Sequence, residues 1–168
     1  MTMDLEVIMR SYSWIGILLV LGLQLSSCQI SGPSEEVRGV SQINSGTSFG
    51  FCIGYCHTEL TIQSSELTFS RKSWDRGDST PPDQLVERTI SSSLWRSLVD
   101  LVEFEVITQM KDVYGCPDCT DGGSEWIEIT HLGVSKRVTF EYNAILEPIS
   151  VLVDSLRSIR AEYLAELE

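Results

Sequence analysis

The chain is poor in bases. It carries 12 Lys and Arg against 24 Asp and Glu, a formal net charge of −12 over 168 residues. Such a field repels a phosphate backbone, which argues against nucleic acid as a partner. Histidine is scarcer still, with only His57 and His131 present, so a serine triad has few candidates. Gly46-Thr47-Ser48-Phe49-Gly50 matches G-x-S-x-G. That elbow needs a strand before it and a helix after it. Here a polar tether precedes and a strand is expected to follow, so Ser48 is expected to be catalytically silent. The sequence has no P-loop, dinucleotide fingerprint, H-E-x-x-H or EF-hand spacing. These absences leave no catalytic residue, cofactor or metal ligand as the first expectation.

Long apolar runs are also lacking. The longest, Trp14 to Leu25, has 12 residues, whereas a spanning helix needs roughly 20. Its length suits the core of a signal peptide. Leu25-Ser26-Ser27-Cys28 follows it and resembles the lipobox of bacterial lipoproteins. The resemblance implies a signal peptide over 1–27 and acylation of Cys28, with the membrane as partner through that lipid. It implies a cell-envelope location; Gln29, rather than aspartate, after the cysteine leans toward the outer membrane. Asp4 and Glu6 are unusual before such a core. Translation from Met9 gives a more ordinary leader.

Residues 28–45 are rich in Gly, Ser and polar side chains without a period, which predicts a flexible tether. Residues 46–168 are predicted to form one α+β domain. Thr47 to Phe51, His57 to Gln63, Glu66 to Ser70 and Gln84 to Ile90 are expected strands, the alternation placing Leu60, Ile62, Leu67 and Phe69 inward. Ser91 or Ser92 caps a helix bearing Leu94, Trp95, Leu98, Leu101 and Val102. Glu105 to Ser124 is expected to be a long connection. Glu125 to His131 and Lys136 to Tyr142 form a second hairpin, with Ile127, Ile129, Val138, Phe140 and Tyr142 inward. Pro148 suits the first turn of a final helix, whose stripe is Ile149, Leu152, Val153, Leu156, Ile159, Tyr163 and Leu167. Short turns between strands imply antiparallel pairing, and two helices then cover one face, in the order strands, helix, strands, helix.

Four cysteines remain beyond Cys28: Cys52 and Cys56 as C-x3-C, Cys116 and Cys119 as C-x2-C. An even number outside the cytosol reads first as two disulfides, with three connectivities open. In a straight strand Cys52 and Cys56 stand about 13 Å apart, so a local bridge requires a fold-back at Gly54. Two alternatives compete. Four thiolates in close pairs suit a tetrahedral zinc. Cys116-Pro117-Asp118-Cys119 suits a redox C-x-x-C, but Thr120-Asp121-Gly122-Gly123 supplies no following helix to activate a thiol. Asp112, Asp118 and Asp121 offer oxygen ligands to a hard cation, although aspartates in turns usually bond nearby backbone.

The segments Ser48 to Cys56, Gly115 to Gly123 and Arg137 to Tyr142 together resemble a family of small secreted or lipid-anchored bacterial domains of unknown function. That resemblance covers about residues 46 to 160. It implies an extracytoplasmic α+β domain and assigns no role to any residue. The functional expectation is therefore a non-catalytic binding or envelope-structural module for an unidentified protein or small ligand. The alternatives are a thiol–disulfide oxidoreductase and a zinc-binding module.

Overall fold

The computed structural model describes residues 39–74, 77 and 80–167. The expected signal peptide, Cys28 and most of the expected tether lie outside the described residues. The strands are β1 (Val40–Ser48), β2 (Tyr55–Gln63), β3 (Glu66–Ser73), β4 (Gln84–Thr89), β5 (Val113–Tyr114), β6 (Ser124–His131) and β7 (Val134–Glu141). The helices are α1 (Ser92–Asp100), α2 (Phe104–Gln109) and α3 (Ser150–Glu166). The seven strands form one sheet in the order β4-β3-β2-β1-β6-β7-β5. All neighbours pair antiparallel except β5, which lies parallel to β7. The α+β architecture matches the sequence pattern.

One face of the sheet makes the core. Ile43, Leu60, Phe69, Ile127, Val138 and Phe140 point to it and pack with Trp95 and Leu98 of α1, Ile107 of α2 and Leu152 and Leu156 of α3. Each such side chain contributes roughly 1.5–3 kcal/mol when fully buried. Ser91 caps α1, its hydroxyl accepting from the Leu94 amide at 3.2 Å. Pro148 sits in a short 3-10 turn, Glu147–Ile149, that leads into α3.

Three expectations need correction. Residues 40–45 are not tether: they belong to β1, which is paired on both sides and central. Their polarity reflects specific packing rather than flexibility. Ser45 receives a hydrogen bond from buried Arg160, and Gly46 lies beneath the Trp126 ring, where a Cβ would approach Cε2 at 2.7 Å. The long connection from Glu105 to Ser124 holds most of α2, β5 and a 3-10 turn, so the face carries three helices rather than two. Tyr142 lies just past β7 and is 42% exposed instead of inward.

Candidate functional site

The antiparallel register brings both cysteine motifs to one end of the sheet. The loop of 49–54 joins β1 to β2, and the loop of 115–123 joins β5 to β6, both at the end where β7 finishes. Gly54, with φ of +85°, folds the chain back. Cys56 falls where the β2–β3 register shifts between Tyr55 and His57, and such a bulge redirects a side chain. The sulfurs of Cys52 and Cys56 thereby meet, with Cα atoms 5.6 Å apart. Those of Cys116 and Cys119 meet across their turn, with Cα atoms 5.4 Å apart. Both separations fit disulfides, so the connectivity is local in each motif.

The two loops are clamped together. Both carboxylate oxygens of Asp118 accept from the Gly50 amide, at 3.1 and 3.0 Å. The Phe49 ring packs edge-on against Tyr142 at 4.9 Å, and Gly123, with φ of +81°, leaves room for it. The Trp74 indole N–H donates to the Phe49 carbonyl at 2.7 Å. Glu141 accepts from the Cys116 amide at 2.9 Å. Asp118, Thr120 and Asp121 all have positive φ near 60°, a conformation that disfavours side chains and persists where the surroundings enforce it. Asp118→Gly removes the carboxylate while keeping that backbone accessible. It is expected to cost about 1 kcal/mol and to raise Gly50 amide exchange roughly tenfold, measured by hydrogen–deuterium exchange.

This geometry bears on each rival chemistry. Among the described residues no three His, Cys, Asp or Glu side chains converge as a metal site, so the zinc and hard-cation alternatives find no support. Asp118 is engaged with Gly50, and Asp112 is ion-paired with Lys136. The C-x-x-C motif leads into a three-residue 3-10 turn with a left-handed residue inside it, not into a helix whose dipole stabilises a thiolate. The Glu141 carboxylate at the Cys116 amide also disfavours a nearby negative charge.

A polar row crosses the opposite, helix-free face, where register sets Ser48 directly across from His57. A strand does precede the G-x-S-x-G match, contrary to expectation, but a loop and β2 follow it rather than a helix. Among the described residues no hydrogen bond joins the Ser48 and His57 side chains. Burial lowers the His57 pKa from its ordinary value, with Glu59 opposing and Lys72 and Arg137 reinforcing the shift. The neutral imidazole is therefore favoured by folding. Its stabilisation is complete above the unfolded value near 6.5 and is lost as pH falls toward the lower folded value. Wild type is expected to lose more Tm than His57→Asn between about pH 7.5 and 5.5, by thermal circular dichroism.

Sequence reasoning missed a buried ion cluster behind this end of the sheet. Glu125 of β6 is fully buried. It accepts from Arg157 of α3, with Nη2 at 2.7 Å, and from Arg160 one turn later. Hydrogen bonding to Glu125 raises the Arg157 pKa against the effect of burial. Arg160 also reaches Ser45, and Arg157 reaches the Ala144 carbonyl at 2.8 Å. The cluster ties β1, β6 and α3 behind the loops. At the far end of the sheet a cleft of about 320 Å³ is lined by Val40, Val99, Phe104 and His131 among others, and it contains no cysteine.

Fold and site define a class: an α+β domain with two stapled, mutually clamped loops at one end of its sheet. No protein-family model and no curated protein matches the chain.

Proposed function

We propose that this protein is a lipid-anchored, extracytoplasmic binding domain that engages its partner through the end of the sheet bearing the two cysteine loops. The observation that carries this is the exposure of Phe51 (79%) and Ile53 (93%) on either side of Cys52. Trp74, Tyr142 and Ile145, also exposed, lie on loops at the same end. Clustered exposed apolar groups mark interaction surfaces. Held by the fold-back at Gly54 and by the Asp118 clamp, the tip loses little conformational freedom when it docks. Local cysteine pairing suits an oxidising compartment, in keeping with the lipobox before it.

Hydroxyl-radical footprinting in intact cells tests this. Phe51, Trp74 and Tyr142 are expected to be protected relative to the purified protein. Equal labelling in both would refute the assignment. Insulin reduction that disappears in Cys116→Ser would establish the oxidoreductase instead, and palmitate labelling that fails at Cys28 would remove the anchor.

A further inference from the structure

The charge around the exposed tip narrows the partner's chemistry, an inference that rests on the binding role proposed above. Neither the 49–56 segment nor the 115–123 segment contains a Lys or Arg. Three acidic groups flank the tip, Asp118 on the Gly50 amide, Asp121 in the exposed turn beyond it and Glu141 at the Cys116 amide, against the exposed Lys72 across from His57 near the end of β3. Arg71, at the end of β3, is committed to Gln84, the Leu167 carbonyl and the Tyr55 ring. Phe51 and Ile53 thus form an apolar prong with an acidic collar.

We infer that the occupant is a protein with an apolar pocket that accepts Phe51 and Ile53 and is rimmed by Lys and Arg. Three features favour it over the alternatives. A second copy of this chain would set collar against collar, and like charges across an interface are costly. An anionic lipid surface is repelled by the same groups. The chain enters the sheet at Val40, at the opposite end of β1 from the prong. That strand is nine residues long, about 30 Å at roughly 3.4 Å per residue. The described chain therefore begins at the end of the sheet away from the prong. A few centrally placed anchors commonly dominate binding, a part Phe51 and Ile53 would share here, while the collar sets the salt dependence of association.

A photo-reactive benzoylphenylalanine in place of Phe51, in the full chain and in the cells that make it, tests the inference. The expected adduct is to a protein, and its cross-linked peptide is enriched in Lys and Arg. Its yield falls at least tenfold with Ile53→Ser and at least twofold with Asp121→Asn. Both positions are exposed, and asparagine tolerates the left-handed backbone at 121, so these variants are expected to keep the wild-type Tm. The same probe at Leu132, equally apolar and 76% exposed at the far end of the sheet, gives no such adduct. An adduct to lipid, an adduct to a second copy, or a protein adduct lacking basic contacts overturns the inference. The protein adduct lacking basic contacts leaves the binding role standing. No adduct above the Leu132 control removes both.

Discussion

Glu125→Ala is expected to cost about 3–5 kcal/mol of folding stability, because it strands buried guanidinium groups without their counter-charge. Glu125 is fully buried, and Arg160 is only 6% exposed. Arg157 retains Asp154 as a partner at 3.0 Å and is nearer to solvent, so most of the cost falls on Arg160. In a domain of this size the loss corresponds to a fall in Tm of roughly 10–20 °C. Adding Arg160→Met to Glu125→Leu should recover much of it, since apolar replacement of a whole buried pair is often close to neutral. Thermal denaturation of the single and double variants decides. A single variant within 1 kcal/mol of wild type would show that water reaches the cluster.

Gly46→Val should be comparably damaging. A Cβ at this position meets the Thr58 carbonyl oxygen on β2 and the Trp126 ring on β6, 2.7 Å from Cε2. The carbonyl belongs to a paired strand and cannot withdraw cheaply. Trp126 is itself held between the sheet and the Arg137 guanidinium, 3.9 Å from its ring centroid. Overpacking of this kind typically costs 1–3 kcal/mol, and the additional γ-methyls in a central strand push it to the upper end. Shortening Trp126 to Ala in the same chain should relieve the ring contact but not the carbonyl. A double-mutant cycle is therefore expected to show coupling of about 1 kcal/mol or more, with changed tryptophan fluorescence in Gly46→Val.

The same residues explain what the sequence revealed and what it hid. Alternation located β2, β3, β6 and β7, because each presents apolar groups such as Leu60, Phe69, Ile129 and Val138 to one core. β1, the central strand, lies earlier than expected: the sequence predicts Thr47 to Phe51, whereas the strand is Val40–Ser48 and 49–51 belong to the loop after it. On its core face only Val40 and Ile43 are apolar; Ser45 and Thr47 lie nearer the ion cluster and bond to Arg160 and to Thr58. On its other face Asn44 links Gln42 to Glu128. A strand whose polar groups are satisfied by distant partners has the composition of a linker, and no local pattern distinguishes the two. Glu125, Arg157 and Arg160 escaped for the same reason. Nothing in the local sequence marks the two arginines as a pair, and only the fold places a carboxylate between them. The cysteine motifs were legible as chemistry but not as pairing. Pairing depended on the backbone at Gly54 and the bulge at Cys56.

Entry of the chain through β1 has a mechanical consequence. Tension applied through the residues before Val40 runs along a strand hydrogen-bonded on both sides, with those bonds roughly perpendicular to the pull. The load is shared among many bonds in shear instead of opening them one by one like a zipper. A pull on the chain at Val40 should therefore meet high resistance, and β4, at the sheet's edge, bears none of it directly.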